Sequence, residues 1–192
     1  MDLPDEDAAR AGANASPKAV AQTASLFGLE LLDDAGIVEA RALAARLIGE
    51  AIAPASSFIA VQQIFAGAVF GLRESGALTG VLAAFPLNQA GHEALTSGGF
   101  DAAVLDPLQV ALPGHEPAAY YGWGFAASTK DGARAVMKAS VEIHRQLYWA
   151  VPVYARAVTG DGERALQSIG FRPMPGREGL LAIAPQTQGL GR

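Results

Sequence analysis

The chain has no cysteine, and only three histidines among its 192 residues. The first absence excludes thiol nucleophiles, disulfides and thiolate metal ligands together. His92, His115 and His144 are scattered, with no His-x-x-x-His pair to offer two ligands from one helical turn, so no metal site is expected. There is no G-x-S-x-G elbow either, which removes the usual signature of a serine hydrolase. Charge is scarce: charged residues make up 17% of the chain, and Lys+Arg 14 against Asp+Glu 19 leave a net charge of -5. Such a surface lacks the basic footprint that nucleic acid or an anionic membrane requires. The longest apolar stretch, residues 58–72, is interrupted by Gln62 and Gln63 and falls short of the ~20 residues needed to span a bilayer. Residues 1–10 carry four acids, unlike the basic start of a secretory signal. Cytoplasmic location follows as the expectation.

What the chain does have is apolar content, at 51%. That is ample for one full core, and the length suits one domain, expected over residues 16–186. Residues 1–15 are acidic, small and aperiodic, and are expected to form a disordered tail; residues 187–192 should be a loose C-terminal tail. So much apolar surface under so little charge makes a homodimer plausible on composition.

Ser16-Pro17 opens a first expected helix, with Val20, Phe27 and Leu31 near helical spacing, and Gly36 separates it from a second over residues 38–52, stopped by Pro54. Two helices should therefore precede the first strand. Residues 63–72 and 77–85 read as strands joined by Arg73-Glu74-Ser75-Gly76, too close for anything but an antiparallel hairpin. Residues 91–105 suggest one or two short helices. Residues 118–127 return to strand character with Tyr120, Tyr121, Trp123 and Phe125 in alternating orientation, and residues 130–149 form the strongest helix of the chain. A short strand at 153–158, a helix at 163–168 started by the Thr159 to Gly162 turn and ended by Gly170, and a last strand at 180–184 complete the series.

This order, with the hairpin Phe70-Gly71-Leu72-Arg73-Glu74-Ser75-Gly76-Ala77-Leu78-Thr79-Gly80-Val81 and the closing segment from Tyr154 through Gly170-Phe171-Arg172-Pro173, resembles the GNAT (acyl-CoA N-acyltransferase) superfamily. The likeness spans roughly residues 38–184. It implies an α/β (α+β) fold, a mixed and mostly antiparallel sheet flanked by helices, with two helices at the N-terminus. It further implies an N-acyltransferase that takes an acyl group, acetyl above all, from acetyl-CoA or another acyl-CoA and gives it to a small-molecule or protein amine, with no metal.

In that family the fourth and fifth strands splay apart, the pantetheine arm lies along exposed backbone of the fourth, and the pyrophosphate sits on amides that open the next helix, where the dipole favours an anion. Carried over, the resemblance assigns the cofactor to Phe125, Ala126 and Ala127 and to the loop residues Thr129, Lys130, Gly132, Ala133 and Arg134. Two registers remain open: Gly132 aligned as the family glycine places Thr129 at the basic position, whereas Ala133 aligned there places Lys130. The tyrosine that commonly protonates the leaving thiolate is replaced by Leu166. For proton transfer the candidates near the fourth and fifth strands are Tyr120, Tyr121, His115, Glu116 and Tyr154, with Tyr121, Glu116 and Tyr154 taken as the catalytic set. His92 and His115 read as solvated loop residues, and His144 as a packed one.

Two other readings stay beside the first. A non-catalytic GNAT-like binding or dimerisation protein would accommodate both the altered loop and Leu166. An acyltransferase fed by acyl carrier protein, like the toxin-activating lysine acyltransferases, shares a Trp-x-x-Ala passage. It would need a histidine near the N-terminus and an acid before Trp123, but the first histidine is His92 and Gly122 precedes the tryptophan.

Overall fold

The structure is a computed structural model and describes residues 16–49 and 52–186. Both expected tails, 1–15 and 187–192, lie outside the described residues.

Helix α1, Pro17–Ser25, begins where Ser16 accepts a hydrogen bond from the Ala19 amide at 3.2 Å. It does not continue to Leu31 as the apolar spacing suggested. Gly28 takes φ +78°, reversing the chain, and Leu29–Leu31 becomes strand β1. Apolar residues three or four apart fit either a helix or a turn followed by a strand, and the glycine decides between them. Helix α2 covers Asp34–Ile48, capped by Asp33, which accepts from the Gly36 amide at 2.8 Å. Gly36 thus lies in its first turn, not in a break before it.

A third helix, α3 (Ala55–Ile64), stands where the first half of a strand was expected. Gln62 fixes it to the sheet: its Oε1 accepts from the Ala68 and Val69 amides, both at 3.0 Å, and its Nε2 donates to the Leu32 carbonyl at 3.1 Å. Among the described residues, three helices and one short strand therefore precede the hairpin, where two helices were expected. The hairpin itself is antiparallel as expected, with β2 at Val69–Glu74 and β3 at Ala77–Leu87. Its two turn residues, Ser75 and Gly76, have φ +52° and +84°, the mirror-image turn that matches strand twist.

Asn88 caps α4 (Gln89–Ser97), and β4 (Ala119–Ala127) leads into α5 (Lys130–Leu147). Then come β5 (Val153–Arg156), α6 (Gly160–Ser168), β6 (Arg172–Pro173) and β7 (Leu180–Ile183). The seven strands form one sheet in the order β1-β2-β3-β4-β5-β7-β6, antiparallel except for the parallel β4–β5 pair. Helix α5 packs on one face with α1 alongside it, and α2 packs on the sheet as well. Phe65, Phe70, Phe85, Tyr121 and Tyr148 are fully buried between these layers. Each apolar side chain taken from water contributes roughly 1.5–3 kcal/mol, which is what offsets the ordering of the chain.

Candidate active site

Strands β4 and β5 pair through only three residues each: Tyr120 with Val153, Tyr121 with Tyr154, and Gly122 with Ala155. Strand β4 runs five residues further, to Ala127, without a β5 partner, so the sheet opens between them. At the same level β4 is irregular. Ala83 stands opposite Gly124 and Ala84 opposite Gly122, leaving Trp123 as an extra residue.

That bulge changes which way the following side chains face. Tyr121 packs edge-on against Phe85 and Phe100, and Trp123 stacks on Phe58 with ring centroids 3.8 Å apart. Strict alternation would put Phe125 with them. Instead Gly124 and Ala126 line a small space under α2 with Val81 and Ala83, and Phe125 lines both that space and the cavity on the α5 side. Its ring covers Gly122: a Cβ on that glycine would lie 2.8 Å from Phe125 Cε2 and Cζ and 3.5 Å from the Ala155 Cβ.

Beside the opening, on the α5 side, lies a cavity of about 260 Å³. Gly122, Phe125, Ser140, His144, Ile169 and Phe171 contribute to its wall, so it runs between α5 and the segment that follows α6. His144 is buried, and burial lowers its pKa; its Nε2 has no hydrogen-bond partner. The Tyr148 hydroxyl is likewise unpartnered, and burial, followed by the neighbouring Tyr120, pushes it well above the ordinary phenol value. Tyr120 and Tyr148 stack in parallel, 4.0 Å apart.

On the opposite side of the sheet, the Tyr154 hydroxyl is 2.9 Å from His92 Nε2 on α4. Tyr154 precedes the last paired residue of β5 by one position. Burial raises its pKa, and also that of Tyr121, where Arg156 pulls in the other direction. The loop between β6 and β7 borders this region: Arg177 Nε donates to the Thr96 carbonyl at 2.9 Å, and Arg156 Nη1 to the Glu178 carbonyl at 2.9 Å. His92 was read from sequence as a solvated loop residue; it is a half-buried residue of the helix that Asn88 starts, one of the short helices expected in this region.

The loop entering α5 is capped by Thr129, whose Oγ1 accepts from the Gly132 amide at 2.9 Å, and Ala133 N–H donates to the Thr129 carbonyl. The first-turn amides of Lys130 and Asp131 are left to outside acceptors. Arg134 forms an ion pair with Asp131 at 2.5 Å, and both side chains are exposed. Thr129, Lys130, Gly132, Ala133 and Arg134 are thus one contiguous helix start following directly on Phe125, Ala126 and Ala127. Of the three residues taken as the catalytic set, Tyr121 and Tyr154 are cross-strand neighbours at the parting point. Glu116 is exposed in the loop before β4, six residues ahead of Gly122 and outside the paired strand. Leu166 is a buried packing residue on α6. Among the described residues no group of three His, Asp or Glu could hold a metal ion, and no helix is long and apolar enough to cross a membrane.

Neither a protein-family model nor a curated protein matches the sequence. Solved structures do match. The ribosomal-protein-S18-alanine N-acetyltransferase from Escherichia coli superposes with TM-score 0.52 at 14% identity, over 85% of this chain and 97% of that one. A GNAT family acetyltransferase from Brucella melitensis in complex with acetyl-CoA matches at TM-score 0.46 and 15% identity, over 83% and 88%. A GNAT-like decarboxylase in complex with isobutyryl-CoA matches at 0.45 and 16%, over 74% and 71%. With its sheet order, its β4 bulge and its opening between β4 and β5, the chain carries the fold of the GNAT superfamily, in a strongly diverged sequence.

Proposed function

We propose that this protein is a cytoplasmic N-acyltransferase that binds an acyl-CoA along β4 and transfers the acyl group to an amine. The observation that carries the reading is the loss of β4–β5 pairing beyond Gly122 and Ala155, with the 260 Å³ cavity beside it. Unpaired strand backbone in a half-closed site is costly unless a ligand takes up its N–H and C=O groups, and a pantetheine arm carries two amides suited to that. The diphosphate would then reach the start of α5, where the Lys130 and Asp131 amides and the Lys130 ammonium favour an anion.

In this arrangement the thioester carbon lies at the parting point, with the cavity on one side of the sheet and Tyr154 and Tyr121 on the other. An amine approaching from the tyrosine side attacks that carbon, and the sulfur leaves on the cavity side. Holding both reactants at this distance converts a bimolecular step into a local one. Acetyl is the acyl group the reading favours.

A non-catalytic binding protein is the second reading, favoured by the Phe125 ring over Gly122 and by buried Leu166. Thermal shift and calorimetry with acetyl-CoA, longer acyl-CoAs, free CoA and an acyl carrier protein separate the two. A ligand at 100 times its Kd adds about 2.7 kcal/mol of stability. Stabilisation by a CoA thioester supports the acyltransferase, stabilisation by acyl carrier protein alone moves the donor to that carrier, and no response to any of them leaves the binding protein.

A further inference from the structure

The hydrogen bond between His92 and Tyr154 joins two elements 62 residues apart, and nothing in the site as read above uses it. From its geometry we infer that His92 and Tyr154 form a proton relay that deprotonates the incoming ammonium, an inference that rests on the acyltransferase reading. Tyr154 stands in register with Tyr121, one residue before β4 and β5 part, and on the side of the sheet away from the cavity. It is therefore the hydroxyl that a primary amine would meet on reaching a thioester at the parting point. His92 lies behind it, with ring centroids 5.5 Å apart.

The chemistry suits this order. A primary amine is an ammonium at neutral pH and cannot attack a carbonyl until it loses a proton. A tyrosine whose hydroxyl is held in the neutral form is a poor base alone, but it can accept a proton while passing its own to an acceptor behind it. Imidazole is the side chain whose charge changes nearest neutral pH. In the relay, the ammonium proton moves to Tyr154 Oη as the Tyr154 proton passes to His92 Nε2. The freed nitrogen forms its bond to the thioester carbon, and the tetrahedral intermediate then collapses with cleavage of the C–S bond. The surplus nitrogen proton leaves with the sulfur as a thiol, and the proton on His92 returns to solvent.

The charged and titratable groups on the elements that carry or border the pair include Glu93 on α4, held by Gln89 Nε2 at 2.7 Å, Arg156 on β5, Tyr121 on β4, and Arg177 from the loop between β6 and β7. Arg177 ties that loop to the last turn of α4, the helix that carries His92.

The relay demands one tautomer, with Nε2 unprotonated and accepting from Tyr154. Nitrogen-15 spectra of the full chain at pH 7.5 read this directly; with only three histidines, the His92 signal is the one lost in His92→Gln. The expected result is a proton on Nδ1, and an Nε2 resonance that moves in Tyr154→Phe. A proton on Nε2, or no change in Tyr154→Phe, would overturn the relay. Calorimetry with acetyl-CoA on the same samples tests the underlying reading separately, since loss of binding there would overturn the acyltransferase whichever tautomer is found. Thiol release from acetyl-CoA, free of protein thiols, completes the test with whichever of spermidine and lysine amide is acylated. His92→Gln should lower the rate by about 10²-fold at pH 7 while keeping acetyl-CoA affinity, and a rate equal to the parent's overturns the relay.

Discussion

The Phe125 ring occupies the space that a side chain on Gly122 would need, although the two residues are three apart on a strand and should face opposite ways. Only the extra residue at Trp123 brings them to one side. The contact lies where β4 and β5 part.

Gly122→Ala should therefore lower stability by about 1–3 kcal/mol, the usual cost of forcing a methyl group into occupied space. The same change in a Phe125→Ala background should cost less, because the obstructing ring is gone. A double-mutant cycle followed by denaturant unfolding measures the coupling; if the two effects simply add, the ring does not police the glycine.

The ion pair between Asp131 and Arg134 holds the one acid in the first turn of α5 against a cation that the acyltransferase proposal sets beside the diphosphate. Asp131→Asn should tighten acetyl-CoA binding several-fold at low salt, with the gain fading as the Debye length shrinks toward ~3 Å at 1 M. It should also cost roughly 0.3–1 kcal/mol of stability, since an acid at a helix start is favourable. Lys130→Glu with Arg134→Glu should act oppositely and abolish binding. Calorimetry across a salt series reads both variants; unchanged affinity in the double variant would put the diphosphate elsewhere.

His144 gives the fold a pH dependence of known sign. Burial lowers its pKa below the ordinary 6.5, so across the interval between the folded and unfolded values the unfolded chain binds the extra proton. The neutral ring's contribution is complete above pH 6.5 and is lost as pH falls through that interval, with a slope of at most about 1.4 kcal/mol per pH unit. Unfolding free energies measured from pH 8 to pH 5 should show this loss, and His144→Leu should flatten it. A parallel decline in the variant would assign the effect to other groups.

Gln62 is the clearest purely structural test. Replacing it with leucine removes an acceptor from two amides and a donor from the Leu32 carbonyl, leaving them half-buried and unpaired. A loss of about 2–4 kcal/mol is expected, seen as a lower denaturant midpoint with an unchanged slope.

Much of this could be read from the sequence where a residue type dictates a conformation. Ser75-Gly76 announced the hairpin, and Thr129 and Thr159 announced helix starts, because their side chains do one thing well at those places. What escaped was decided by longer-range geometry. Residues 55–64 are helical because Gln62 is needed by Leu32, Ala68 and Val69, partners that a local window cannot weigh. Residues 29–31 are a strand because Phe70–Leu72 offers a free edge. In the candidate site, Tyr121 and Tyr154 were named from their strands, and the structure sets them in register with each other. His92 carries no such local sign, since its bond to Tyr154 joins residues 62 apart, and Glu116 was named from its nearness in sequence to β4.

Trp123 makes β4 unforgiving of length in a way it is not of chemistry. Removing that single residue would restore even alternation and turn Phe125, Ala126 and Ala127 over together, sending the aromatic ring toward α2 and emptying the wall beside Gly122. Substitutions along this strand can be absorbed one at a time, whereas a one-residue deletion would exchange its two sides from there to the start of α5.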